Sequence, residues 1–257
     1  MEKVKLSYTH HDSVAWITLA DGKGNVLDNV MMLEILGCLQ EFGKNANLKL
    51  IVFQGEGKHF SFGASVEEHT KELAETMLKT FHKIFKTLID LSIPTASLIS
   101  GQCLGGGMEL AIMCQVLFAD KTAKMGQPEI VLGVFPPPAS IILPEKIGLA
   151  RAEELLLTGR SVDAQEALSL GIVNQVFEDK SALMAGFDFW VNQHIVPKSA
   201  SSLRYAAKAA RIKFNHVMGN FLPQLEYIYN RQLMETHDAN EGITAFLAKR
   251  QPEWSNS

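Results

Sequence analysis

Apolar and polar residues alternate over 4–9 and again over 13–20, the period of half-buried strands, and His10-His11-Asp12 between them reads as a hairpin turn. Asp21-Gly22-Lys23-Gly24-Asn25 follows as a loop. Met32, Leu33, Leu36 and Leu39 then recur at helical spacing, with Asp28 or Asn29 placed to cap a helix that runs to Phe42. The largely apolar run 48–54 predicts a buried strand, stopped by Gly55-Glu56-Gly57. After a loop at 60–65, helical spacing returns over 66–91 through Leu73, Met77, Phe81, Ile84, Phe85 and Leu88. Segment 94–100 is the next strand, broken at Gly101, and a helix follows over 106–114.

Short strands are expected at 116–119 and 124–126. Pro136-Pro137-Pro138 predicts a stiff loop, since proline fixes φ and has no N–H to give. Helices are expected at 139–147 and 150–157, and Asp163-Ala-Gln-Glu166 has the spacing of a capping box for a third that ends at Gly171. Segment 172–177 returns as a strand, and everything beyond Lys180 reads as helix. This alternation predicts an α/β core with largely parallel pairing, spanning 1–195 and carrying the active site. Residues 196–257 form a helical region whose amphipathic faces must pack on that core or on a neighbouring subunit.

Composition narrows the classes. The 257 residues can bury a substantial core, and 47% hydrophobic with 20% charged residues is ordinary for a soluble globular protein. A net charge of -4 argues against nucleic acid as the main partner. Cys38, Cys103 and Cys114 form no C-x-x-C pair, which points to a reducing cytoplasm rather than a disulfide framework. The first 16 residues mix charged and apolar types, unlike a signal peptide. No run approaches the roughly 20 apolar residues that span a bilayer, so no membrane is expected. His, Cys and carboxylate residues do not show metal-ligand spacing, and Gly55-Glu-Gly-Lys58-His59 lacks the Ser/Thr and upstream glycine of a phosphate loop.

The candidate chemistry lies in two carboxylates and two turns. Gly105-Gly106-Gly107-Met108-Glu109 is a glycine-rich turn that opens a helix, and Glu129 follows in Gly126-Gln127-Pro128-Glu129. Phe60-Ser61-Phe62-Gly63-Ala64-Ser65 is a second strand-to-helix turn. Free N–H groups from two such turns can converge on one oxygen, and two carboxylates beside it can divide acid and base work. His59 and His69 flank the second turn and are read as surface or helix-capping residues, with substrate contact as the alternative. Arg204, Lys208 and Arg211 share a helix face, read as solvated, with CoA phosphates or a neighbouring subunit as the alternative. Phe214, Met218, Phe221 and Tyr227 are read as packing or interface.

Several ordered segments resemble the crotonase, or enoyl-CoA hydratase/isomerase, superfamily. They are Gly101-Gln-Cys-Leu-Gly-Gly-Gly-Met-Glu-Leu-Ala111, Met125-Gly-Gln-Pro-Glu129 with Leu132-Gly133, 155–159, 163–167, Gly171-Ile-Val173 and the stretch 241–250. The resemblance implies a spiral core of ββα units with a C-terminal helical oligomerisation region, assembling as a homotrimer or a dimer of trimers. It implies an acyl-CoA thioester as substrate, CoA being part of the substrate and not a cofactor. The amides of Ala64 and Gly106 would form an oxyanion hole, and Glu109 and Glu129 match the two catalytic glutamates. Ala64, Ser65 and Val66 would lie along the CoA moiety, with Asn25 and Val26 near its nucleotide and Gly105 and Gly106 at the thioester.

Three departures bear on the acyl group. Ser65 follows the oxyanion alanine where Asp is frequent, Arg-Pro is missing before Asn25, and Phe135-Pro-Pro-Pro-Ala-Ser140 replaces a glycine-rich loop. Phe135 and Pro137 would make a stiffer wall, suited to a compact acyl group. The 60–69 stretch and this proline loop together resemble the cyclohexa-1,5-diene-1-carbonyl-CoA hydratases of anaerobic aromatic degradation, which implies conjugate addition of water. A general short-chain enoyl-CoA hydratase or isomerase stands as the alternative enzyme, and a crotonase-fold scaffold or RNA-binding protein as the non-enzyme alternative.

Overall fold

Val4–Thr9 (β1) and Val14–Leu19 (β2) form the expected antiparallel hairpin, in the register Val4↔Leu19. The computed structural model describes residues 1–22 and 24–257, so within the expected loop at 21–25 Lys23 lies outside the described residues. Asp28 caps helix α1 (Asn29–Phe42) by accepting from the Met31 amide. Strands β3 (Leu50–Gly55) and β4 (Thr95–Ile99) flank helix α2 (Ala74–Leu91), and β5 (Gln102–Leu104) leads into helix α3 (Gly106–Met113). Next come β6 (Val116–Asp120), β7 (Lys124–Gly126), α4 (Pro137–Ile147), α5 (Leu149–Thr158), β8 (Ser161–Asp163), α6 (Ala164–Leu170) and β9 (Gln175–Phe177). The chain ends in α7 (Lys180–His194), α8 (Ala200–Ala210), α9 (Ile212–Arg231) and α10 (His237–Leu247).

Among the described residues the main sheet runs β1-β2-β3-β4-β6-β9, parallel except for the hairpin. Alternate residues of its central strands enter two different cores. Ala15, Ile17, Ile51 and Phe53 face the larger one, filled from α1, α2 and α3. Val14, Trp16, Leu50 and Val52 face the other, closed by Leu183, Phe187 and Val191 of α7. Burial on both faces explains why β3 reads as an apolar run without alternation. The second sheet, β5-β7-β8, is built from three-residue strands, too short to show a period, and the sequence reading missed β5 and β8.

Four expectations need correction. The helix expected over 66–91 is broken: a 3₁₀ turn at Val66–His69 ends in extended Thr70, and α2 starts only at Ala74. The Ser65 carbonyl that would continue the first turn is taken by the His69 ring at 2.7 Å and the Glu68 amide at 3.1 Å. The proline loop is shorter than expected because Pro137 and Pro138 open α4, where a first-turn N–H has no helical acceptor to miss. The capping box is half made. Asp163 accepts from the Glu166 amide at 2.9 Å, but the Glu166 carboxylate turns to Arg160 at 2.8 Å.

The basic face of α8 is the fourth. Only Lys208 is exposed. Arg204 donates to the carbonyls of Asn45 and Leu48 at 2.6 and 3.3 Å, and Arg211 to that of Met113 at 2.7 Å while stacking on Phe214. Carbonyls of the loop between α1 and β3, and the carbonyl at the end of α3, draw these cations inward. Helix α9 packs against α2 and α4, placing Met218, Leu222 and Tyr229 in the larger core, whereas Phe221 and Tyr227 stay exposed. Among the described residues no helix is long and apolar enough to cross a membrane.

Candidate active site

The two glycine turns meet because strand-like bonds tie them together. Ser61 donates to the Gln102 carbonyl at 3.1 Å and accepts from the Leu104 amide at 3.0 Å, while Leu27 donates to Gly63 at 2.9 Å. These bonds bring Ala64 against the start of α3: a Cβ on Gly106 would lie 3.2 Å from the Ala64 nitrogen. Neither the Ala64 nor the Gly106 amide has an acceptor among the described residues. Two neighbouring donors, fixed by backbone and free, can hold an oxygen that gains negative charge.

Glu109, one turn into α3, is 4% exposed and its Oε1 accepts from the Ala139 amide at 2.9 Å. Burial lifts its carboxyl well above the ordinary range, the negative charge of Glu129 adds to this, and the Ala139 N–H opposes it. Glu129 follows β7 and lies beside Gly105, where an added Cβ would sit 2.7 Å from its Oε1. Gly105 also has φ +49°, so the turn needs glycine for conformation and for space. Burial pushes Glu129 up to about 8. With its amide nitrogen facing the carboxylate, buried Gln127 donates to both Glu129 oxygens at 3.1 Å.

Both carboxylates line one cavity of about 700 Å³. Of the residues expected at the site, Val26, Ala64, Ser65, Val66, Gly105, Gly106, Phe135 and Pro137 line it as well. Asn25 does not. Its carboxamide is turned inward onto the carbonyls of Glu56, His59 and Phe60, at 3.1, 2.9 and 3.2 Å, and its carbonyl accepts from the Ser61 hydroxyl at 2.7 Å. It therefore braces the Ala64 turn from behind.

The two histidines divide. His59 is turned away, accepting from the Gln102 amide at 3.0 Å, whereas His69 lines the cavity and burial pushes its imidazole below the usual range. Sequence reasoning missed Gln127, Lys3 and Tyr229. Lys3, just before β1, lines the cavity together with its ion-pair partner Asp28. Tyr229 comes from α9, and only tertiary packing could reveal it; Gln127 could have been suspected from its place two residues before Glu129. Among the described residues no group of three or more His, Cys, Asp or Glu could hold a metal ion.

The family model described as enoyl-CoA hydratase/isomerase matches residues 9–257. The chain is 41% identical to cyclohexa-1,5-dienecarbonyl-CoA hydratase of Thauera aromatica, covering 95% of this chain and 93% of that one. It is 30% identical to 2,3-dehydroadipyl-CoA hydratase of Escherichia coli K12, covering 90% of each. A crystal structure of an enoyl-CoA hydratase from Mycobacterium avium subsp. paratuberculosis K-10 superposes with a TM-score of 0.86 over 98% of each chain, a likeness of fold at 20% identity.

Proposed function

The chain belongs to the enoyl-CoA hydratase/isomerase family and is a hydro-lyase of the enoyl-CoA hydratase type, and from that premise we propose that it hydrates cyclohexa-1,5-diene-1-carbonyl-CoA to 6-hydroxycyclohex-1-ene-1-carbonyl-CoA. The observation that carries the reaction type is the sharing of one cavity by buried Glu109, half-buried Glu129 and two free amides. The thioester oxygen binds the Ala64 and Gly106 amides, which draws electrons from the conjugated system and leaves the β carbon electrophilic. Glu109 takes a proton from water as the C–O bond forms, and Glu129 supplies a proton to carbon. An ordinary glutamate, with a pKa of about 4.3, would be a poor acid at neutral pH. Burial raises both carboxyls, and the charge of Glu129 adds to the rise at Glu109, so the pair retains a proton near neutral pH. Val26, Ser65 and Val66 lie along the CoA moiety.

The cyclic acyl group is supported by the relative from Thauera aromatica and by the cavity wall beside the carboxylates. Phe135, Pro136 and Pro137 form part of that wall, and Phe135 meets Tyr229 edge-on at 5.5 Å. Rings and prolines make it rigid, which suits a flat six-membered ring better than a flexible chain. In this substrate the hydroxyl arrives at the β carbon and the proton at the far end of the diene. The test is to offer the purified protein the cyclic dienoyl-CoA and crotonyl-CoA and to follow product mass. Faster turnover of the cyclic thioester is expected; much faster turnover of crotonyl-CoA would overturn the cyclic assignment and leave a general short-chain hydratase.

A further inference from the structure

Tyr229 lies on α9, a hundred residues beyond Glu129, outside every segment that carries the family resemblance. It is 1% exposed, yet its hydroxyl has no hydrogen-bond partner among the described residues. It lines the same cavity as Glu109 and Glu129. A buried hydroxyl with nothing to bond is costly, and a fold that needed only the ring would be served as well by phenylalanine. Burial and the two nearby carboxylates hold the phenol above its usual range, so it stays protonated. At neutral pH it is a donor beside two acceptors and bonded to neither.

We infer that the Tyr229 hydroxyl donates a hydrogen bond to the reacting oxygen, that of the attacking water in one direction and of the new hydroxyl group in the other. This rests on the hydratase reading above. Water has two hydrogens and two lone pairs. Glu109 and the unprotonated oxygen of Glu129 accept the hydrogens, Tyr229 occupies one lone pair, and the other is left to attack carbon. As the C–O bond forms at the β carbon, one O–H bond breaks and its proton passes to Glu109. The displaced π electrons move toward the thioester oxygen and return to form a C–H bond with the proton of Glu129. Tyr229 keeps its own proton and ends bonded to the product hydroxyl.

Tyr229→Phe tests this against a structural role. Turnover of crotonyl-CoA and of the cyclic dienoyl-CoA is measured for the wild type and the variant, with thermal melting and the affinities for 3-hydroxybutyryl-CoA and butyryl-CoA. Because the hydroxyl bonds no group among the described residues, Y229F is expected to melt at the wild-type temperature or above it. Its kcat should fall about tenfold or more with KM changed by less than about threefold, and any preference for the hydroxylated ligand should vanish. A Y229F kcat within about twofold of wild type, or a loss of activity that follows a loss of melting temperature, would overturn the assignment. A wild-type protein that hydrates neither thioester would overturn the hydratase reading itself, and the role of Tyr229 with it.

Discussion

Glu109 Oε1 accepts the first N–H that α4 has to offer, that of Ala139, because Pro137 and Pro138 before it have none. The bond fixes one carboxylate oxygen and leaves Oε2 without a partner among the described residues. Glu109→Gln keeps an acceptor for Ala139 while removing the base. Its kcat is expected to fall by about 10²–10⁴ with little change in melting temperature. A variant within about tenfold of wild type, well below the range of such effects, would remove Glu109 as the base.

The pH–rate profile should report the pair rather than either residue alone. Glu129 is raised to about 8, so activity should decline as pH climbs through that region and the acid loses its proton. At low pH a second proton binds the pair and the base is lost, giving a bell. A profile flat from neutral pH to well above 8 would contradict the assignment of Glu129 as the acid.

Stability carries a second signature. A carboxyl whose folded pKa exceeds its unfolded value is fully accommodated below the ordinary glutamate range. Its burial then costs more as pH rises, because the unfolded chain gains by ionising while the folded state keeps its proton. Between about pH 4.5 and 8, therefore, wild-type stability should fall relative to Glu129→Gln. The variant should be the more stable by on the order of 4 kcal/mol at pH 8, a gain that fades toward pH 5. Denaturant unfolding at several pH values measures it, and a pH-independent difference would show that the two states bind protons alike.

Gly105→Ala should harm the reaction as well as the fold. With φ +49° and ψ -130°, Gly105 lies outside the left-handed helical region, and alanine there costs about 1–3 kcal/mol. The new methyl would also stand 2.7 Å from Glu129 Oε1 and must push the carboxylate aside. A kcat loss of about a hundredfold, with CoA affinity retained, is expected; wild-type turnover would show that the acid tolerates displacement.

Asn25→Ala removes a carboxamide shared by three carbonyls of the segment leading into the Ala64 turn. A loss of about 1–3 kcal/mol in denaturant unfolding is expected, together with lower kcat from a loosened oxyanion turn. Unchanged stability would mean that water replaces the amide.

Legibility in the sequence followed the range of the forces involved. The hairpin, α1 and the parallel strands were visible because burial on a fixed period leaves its mark within a few neighbouring residues. Glu109 and Glu129 stood out because each follows a turn with its own local chemistry. What escaped depends on distant partners. Arg204 and Arg211 look solvated until the loop after α1 and the end of α3 present carbonyls to them. Asn25 sits in a loop that resembles a ligand contact, but its direction is set by a chain reversal more than thirty residues later. Tyr229 gave no signal, since a tyrosine on an amphipathic helix looks alike whether it faces solvent, core or substrate.

The small sheet has a consequence for how such a catalyst can change. Leu104 and Gly126 are paired across β5 and β7, and the chain leaves one strand toward Glu109 and the other toward Glu129. Main-chain bonds thus set the distance between the acids, among them Gly105 to Gly126 at 2.9 Å. Phe135 and Pro137 belong to another segment of the wall and can be exchanged without disturbing that frame. Variation there is free to explore new acyl groups while the proton-handling apparatus is inherited intact.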